Sequence, residues 1–216
     1  MEIVHIIALT MGVAWASGIN LYAAVLMLGL LGSSGHIVLP ESLLVLTDPL
    51  VIFAAGLMYC VEFFADKTPG VDTGWDAIHA FIRIPAGAIL AMGAVGETSA
   101  AIEFAAFLLG GAVATGSYAT KAGSRVLINT SPEPFSNWGA SVGEDAVVVA
   151  GIWTALFHPV IFLILLALFI VLMIWLLPKI WHGIRTIAAR LRILCRRPPT
   201  ETAALPHADN TPKQHL

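Results

Sequence analysis

The sequence predicts an all-α, polytopic membrane protein with about five to six transmembrane helices. Of its 216 residues, 58% are hydrophobic and 12% are charged, whereas soluble domains carry roughly 45–50% apolar residues. The clearest span is 160–177, because its 18 consecutive apolar residues nearly match the ~20 residues that cross a hydrocarbon core. Seven acidic, basic or histidine side chains nevertheless lie within 59–85, and charge concentrated in a membrane protein usually marks a functional site.

The first predicted helix covers 6–31. Residues 1–10 carry no Lys or Arg, so the basic region of a signal peptide is missing, and we interpret this stretch as the start of a span. Ser17-Gly18-Ile19-Asn20 interrupts the helix with small and polar residues. A side-chain amide at membrane depth needs a partner away from lipid. We expect this patch either to pack against another helix or to line a site.

The second predicted helix covers 50–67. It follows Asp48 and Pro49, which are favourable residues for the N-cap and the first helical position. Glu62 and Asp66 are four residues apart and therefore lie on one face of its last turns.

Two short polar segments, 72–83 and 133–144, are predicted to be re-entrant or interfacial helices. The first is too short to cross the membrane before Pro85, and re-entrant backbone is tolerated only where protein or a water-filled cavity surrounds it. Its polar side chains form one stripe at helical spacing: Asp72, Asp76, His79 and Arg83. The second segment likewise carries Glu133, Asn137, Ser141 and Glu144 at helical spacing.

Another span is predicted from 100 to about 121. Gly110, Ala114 and Tyr118 recur every four residues, a pattern of small residues that favours close contact between helices. The same row continues into a basic, hydrogen-bonding set: Lys121, Arg125 and Asn129.

Two stretches of the chain echo each other. Ala65-Asp66-Lys67 and Ala119-Thr120-Lys121 each end an apolar helix, 54 residues apart, and each precedes a short polar segment. Many transporters consist of two such halves that meet at a central site, and the halves here would cover about 50–100 and 104–157. Coincidence in an Ala- and Gly-rich chain is the alternative explanation. If the echo reflects a true internal repeat, the first half would supply mainly carboxylates to the site and the second half mainly cations.

The chain divides into one membrane domain, 1–178, a basic amphipathic segment, 179–197, and a tail, 198–216. Six of the eleven Lys and Arg residues fall in 179–197, interleaved with apolar residues, which is typical of a helix on an anionic membrane surface. The positive-inside rule then puts the C-terminus in the cytoplasm. The polar, Pro-bearing tail is predicted to be disordered.

Two long motifs carry a family resemblance: EFFADKTPGVDTGWDAIHAFIRIPAGA, at 62–88, and KAGSRVLINTSPEPFSN, at 121–137. They resemble the signature of an uncharacterised family of bacterial multi-pass membrane proteins described as a domain of unknown function (DUF-4126). The patch at 17–20 also resembles its N-terminal motif, and the resemblance covers about residues 10–155. It implies a multi-pass fold in a bacterial cytoplasmic (inner) membrane and assigns no catalytic residue.

The favoured functional hypothesis is a small transporter or lipid-headgroup flippase, proton-coupled and selective for an anionic substrate. Lys121 and Arg125 would hold the anion while Glu62 or Asp66 takes up and releases a proton, since burial raises the pKa of a carboxylate. The expected substrate- and proton-binding residues are Glu62, Asp66, Lys67, Asp72, Asp76, His79, Arg83, Lys121, Arg125, Asn129, Glu133 and Asn137.

Two alternatives remain open at this level. Glu62, Asp66, Asp72 and Asp76 could hold Mg²⁺ in an embedded enzyme acting on a phosphate-bearing lipid, although no nucleophile with an adjacent base is evident. The charges could instead serve a structural or partner-binding role. The sequence predicts no cofactor and no nucleic-acid partner; membrane lipids, a small anionic or lipid-phosphate substrate and a homo-oligomer are compatible partners.

Overall fold

A computed structural model describes residues 2–68, 71–128 and 134–195. Regular structure in these ranges is entirely helical. The α-helices are α1 (Ile3–Ser33), α2 (Pro49–Ala65), α3 (Val71–Ala94), α4 (Ala100–Ile128), α5 (Pro134–Phe157) and α6 (Pro159–Cys195), and a 3-10 helix, Glu41–Thr47, precedes α2. Five helices in this part of the chain are long and apolar enough to cross a membrane, or six if the 3-10 helix and α2, bent by 66°, form one span. The predicted all-α, polytopic membrane fold is confirmed.

Helix α1 lies at the centre of the bundle, where it packs against α2, α3, α4, α5 and α6. In the most hydrophobic 18-residue stretch of α1, 72% of the residues are buried inside the protein, whereas in the corresponding stretch of α6 the share is 11%. Helix α2 is the least embedded helix around the site, because only Ala55 and Glu62 are buried along it. The α1 core therefore positions the site, and α2 lies at its edge.

Small residues bring α1, α3 and α4 into close contact, as the spacing in α4 predicts. A Cβ atom added at Gly18 of α1 would overlap the Ser117 hydroxyl and the Ala114 carbonyl of α4, and one at Gly110 would overlap Ala91 of α3. Gly110 and Ala114 are themselves buried. This tight packing brings the polar ends of α3 and α4 against the middle of α1.

The predicted boundaries of the two short helices are wrong. Residues 72–83 form the first half of α3, which runs through Pro85 to Ala94, and residues 134–144 of the second predicted segment belong to the longer helix α5. Glu133 lies outside the described residues. Proline removes one helical hydrogen bond, but membrane helices tolerate this loss where neighbouring groups satisfy the backbone. The carbonyl that Pro85 leaves without its helical donor is that of Phe81, four residues earlier. The Ser17 hydroxyl of α1 donates a hydrogen bond of 2.9 Å to the Arg83 carbonyl, which fastens this turn of α3 to α1.

The predicted boundary between the last span and the basic segment, 179–197, does not coincide with a helix end in the structure. Helix α6 continues from the last span through Pro178 to Cys195 as one helix. Proline fixes φ at a helical value but costs one hydrogen bond, a loss that membrane helices tolerate. The predicted tail, 198–216, lies outside the described residues.

Candidate functional site

The site begins at a break in α1. Asn20 has non-helical backbone angles, φ −145° and ψ 95°, inside the helix. Its Oδ1 accepts a hydrogen bond of 2.9 Å from the Ala23 amide, so Asn20 acts as an N-cap for the second half of α1. In a continuous helix that amide would bond to the Ile19 carbonyl. The break therefore leaves the Ile19 carbonyl available to a partner from another helix.

Seven buried charged side chains meet at this break, and we refer to them as the charge network. They come from the end of α2, from α3, from α4 and from α5: Glu62, Asp66, Asp76, Arg83, Lys121, Arg125 and Glu144. Six of the seven have side chains no more than 5% exposed, and Glu144 is 18% exposed. An ion in such a place is tolerated only when it is paired.

Arg83 joins two carboxylates at the inner end of the network. Its Nη2 lies 2.6 Å from Glu62 Oε1, and its Nη1 lies 2.7 Å from Asp76 Oδ1. Asp76 and Arg83 are seven residues apart on α3, so they share one face. The planar guanidinium is suited to holding two acceptors in a fixed geometry, and it thereby fastens α2 to α3.

Lys121 lies at the centre of the network. Its Nζ donates to the Ile19 carbonyl over 3.2 Å, so the ammonium occupies the position opened by the break in α1. The distances from Nζ to the nearest oxygen of each carboxylate are 3.0 Å (Asp66), 3.4 Å (Asp76), 3.5 Å (Glu62) and 3.5 Å (Glu144). One cation is thus shared by all four acids.

Arg125 completes the outer end of the network. It binds Glu144 through two nitrogens, with Nε–Oε1 at 3.0 Å and Nη2–Oε2 at 2.7 Å. Its Nη1 also donates to the backbone carbonyl of Asp66 over 3.0 Å. Since Asp66 caps the C-terminus of α2, this contact satisfies a terminal carbonyl and places a cation at the negative end of the helix dipole.

The network contains four carboxylates and three cations. One oxygen each of Glu62, Asp66 and Asp76 is buried without a hydrogen-bond partner among the described residues: Oε2, Oδ1 and Oδ2, respectively. A buried unpartnered carboxylate oxygen is costly, and the cost falls when that oxygen carries a proton or meets a donor. The arrangement can therefore accept one proton without leaving a cation unpaired.

Six of the twelve predicted site residues belong to the network: Glu62, Asp66, Asp76, Arg83, Lys121 and Arg125. Asn129 and Glu133 lie outside the described residues, as do the side chains of Asp72 and Asn137. The structure therefore does not test the prediction for these four residues.

Lys67 and His79 lie beside the network without joining it by an ion pair. The Lys67 ammonium donates to the Phe63 carbonyl over 3.2 Å and lies 2.8 Å from the centre of the Phe63 ring. Burial lowers the pKa of Lys67, against the carboxylates of Asp145 and Asp66, which raise it. His79 hydrogen-bonds to the Trp75 carbonyl over 3.0 Å and stacks on the Trp75 ring.

Three residues at the site are missing from the list of twelve predicted binding residues: Asn20, Glu144 and Asp145. Asn20 belongs to the patch that was expected either to pack against another helix or to line a site. Asp145 accepts a hydrogen bond of 2.9 Å from Asn20 Nδ2 and one of 3.2 Å from the Tyr59 hydroxyl. The usable signal for Glu144 was its place in the polar stripe of 133–144. Asp145 lies about 100° around the helix from Glu144, so that stripe could not indicate it.

The described side chains contain no group of three or more His, Cys, Asp or Glu residues arranged to hold a metal ion. The four network carboxylates instead surround Lys121. The set proposed for Mg²⁺ from the sequence includes Asp72, whose side chain is not described.

Comparison with known proteins identifies a family. The model of a family described as a domain of unknown function (DUF4126) matches residues 7–179. No curated protein matches the chain. No solved structure matches it either.

Proposed function

We propose that this chain, which belongs to the DUF4126 family, is a small membrane transporter or lipid-headgroup flippase that couples proton uptake to an anionic substrate. The observation that carries the proposal is the excess of one carboxylate over the cations in the buried network. Intramembrane acids and bases of this kind are typical of proton relays and substrate pathways.

Asp66 is the residue best suited to link the proton to the substrate. Its Oδ2 lies 3.0 Å from Lys121 Nζ and 3.5 Å from Arg125 Nη2, while its Oδ1 is buried without a partner in the described part of the chain. A proton taken up on Oδ1 removes one of the negative charges that surround Lys121 and Arg125, while Glu144 continues to contact both cations. Lys121 and Arg125 then become able to bind an anionic group in place of Asp66.

The broken helix supports the same function. Discontinuous helices with exposed half-helix ends form the binding sites of many transporters. In this chain the C-terminal end of the first half of α1 presents the Ile19 carbonyl to Lys121. That contact keeps the ammonium in place while its carboxylate partners exchange a proton.

We further propose that the protein lies in a bacterial cytoplasmic membrane with its C-terminus in the cytoplasm. The support is the basic segment that follows the last span, including Lys179 and Arg185, since cytoplasmic flanks are enriched in Lys and Arg.

The test uses the full chain in liposomes that contain a pH-sensitive dye. Inward gradients of inorganic phosphate, glycerol 3-phosphate and glutamate are imposed in turn, and transbilayer movement of fluorescent anionic phospholipids is measured in parallel. We expect acidification of the lumen with at least one anion, or lipid movement that depends on pH. Both signals should be lost in Asp66→Asn and kept in the exposed control Glu97→Gln.

A structural role is the second candidate, because the network ties α2, α3, α4 and α5 together. If the wild type is folded and shows neither acidification nor lipid movement, the transport proposal is overturned. The structural function then predicts that network variants change stability alone. Lipid turnover that requires Mg²⁺ would instead support the enzyme alternative.

A further inference from the structure

A groove of about 540 Å³ runs between α2 and α5, beside the charge network. Its lining is almost entirely apolar or aromatic, and Asp145 is the single charged residue among those that line it. Its walls include Tyr59 and Phe63 of α2 and Val142, Val149 and Trp153 of α5.

Asp145 differs from the four network carboxylates in its partners. Its two oxygens accept hydrogen bonds from neutral groups, the Asn20 amide and the Tyr59 hydroxyl. No cationic nitrogen among the described residues lies within 4.0 Å of it, whereas the adjacent Glu144 has Arg125 at 2.7 Å. A carboxylate at membrane depth whose hydrogen-bond partners are all neutral has no direct ion pair to stabilise it.

One cation that interacts with Asp145, Lys67, is engaged elsewhere. The Lys67 ammonium is held by the Phe63 carbonyl and the face of the Phe63 ring, so it interacts with Asp145 only at longer range. The Phe63 ring, which belongs to the groove lining, thus already lies against a cation. Tyr59 and Trp153 offer further aromatic rings, which attract ammonium groups through their π-electrons.

The groove faces the apolar surroundings of the bundle. Val142, Val149 and Trp153 remain 53%, 47% and 49% exposed, although they belong to a helix able to cross the membrane. A water-soluble ion would leave these side chains uncovered, and a hydrocarbon tail would cover them.

We propose that this groove binds an amphiphile that has a cationic ammonium head and a hydrocarbon tail. The ammonium pairs with Asp145 against Tyr59 and Trp153, and the tail lies along Val142 and Val149. The site lies beside the charge network and does not require that the network moves protons, so a test of its occupancy is independent of a test of transport.

The test is photolabelling of the full chain in dodecyl maltoside, a neutral detergent. Three probes share one diazirine-bearing twelve-carbon tail and differ in the head: trimethylammonium, sulfonate or hydroxyl. We expect the ammonium probe to label α2 and α5 about tenfold more than the hydroxyl probe. Dodecyltrimethylammonium should compete, and tetramethylammonium, which has no tail, should compete far less.

Two variants and one control make the result specific. Asp145→Asn should remove the preference for the ammonium head. Trp153→Leu, at a half-exposed position, should weaken that preference, and it provides the test if Asp145→Asn does not fold. Glu97→Gln should leave labelling unchanged. Equal labelling by all three probes would show an ordinary lipid-facing surface and overturn the proposal. A preference for sulfonate would also overturn it and would assign the groove to Lys67.

Discussion

The Lys121 ammonium lies 3.2 Å from the carbonyl oxygen of Ile19, the residue directly before the break in α1. Two independent features meet in this contact. The break exposes a carbonyl at the C-terminal end of a half-helix, where a cation is favoured, and α4 delivers its ammonium to that position. Because Lys121 also lies within 3.5 Å of all four network carboxylates, it couples the central helix to the whole network.

Removing this cation should be far more damaging than neutralising one of its partners. Lys121→Met leaves four carboxylates with two cations, and breaking a buried pair in this way typically costs about 3–5 kcal/mol. Glu62→Gln leaves three charges of each sign, so we expect a loss of no more than about 1–2 kcal/mol. Unfolding in detergent, followed by circular dichroism, measures both. Lys179→Gln, outside the network, is the matched control. Equal losses of stability for Lys121→Met and Glu62→Gln would contradict the explanation that the balance of charges determines the loss.

Asn20 should be sensitive to changes of its side-chain chemistry. Asn20→Ala removes the cap on Ala23 and the donor to Asp145, and we expect a loss of about 1–3 kcal/mol from the cap and the unpaired buried group. Asn20→Ser keeps an oxygen able to cap the half-helix, so its loss should be smaller. Thermal unfolding of the three proteins in the same detergent tests the order. Equal stability of the Ala and Ser variants would show that the cap does not stabilise the break.

Gly18 should tolerate no side chain. A Cβ there would overlap Ser117 and the Ala114 carbonyl, so Gly18→Ala should force α1 and α4 apart and destabilise the protein by about 1–3 kcal/mol. Gly143→Ala is the control, because nothing lies within 4 Å of a Cβ at that position and alanine favours the helix. The same unfolding measurement compares them. Similar behaviour of the two variants would rule out close packing at Gly18.

The sequence predicted the parts of the site that depend on local spacing. Glu62 with Asp66, and Asp76 with Arg83, lie at helical intervals, so their shared faces follow from the order of the amino acids alone. The pairing of Lys121 with Asp66 depends on how α2 and α4 meet, and the sequence indicated only which residues could take part. Pro85 misled the prediction because a helix packed among other helices can continue past a proline, and the packing of α3 against α1 and α4 joins distant parts of the chain. Asp145 was missed because it lies off the polar stripe of 133–144 and because its partners, Asn20 and Tyr59, are distant in the sequence.

The charge balance of the network leads to a last prediction about a pair of substitutions. Glu62 Oε1 lies 3.5 Å from Lys121 Nζ, and removing both charges restores the net charge of the wild-type network. The double variant Lys121→Met with Glu62→Gln should therefore be more stable than the sum of the single losses implies, with a coupling of about 0.5–3 kcal/mol. The control pair is Lys121→Met with Glu97→Gln, whose losses should add because Glu97 is exposed and lies outside the network. If both pairs are additive, Lys121 contributes to stability through its bond to Ile19 and not through the charge of the network.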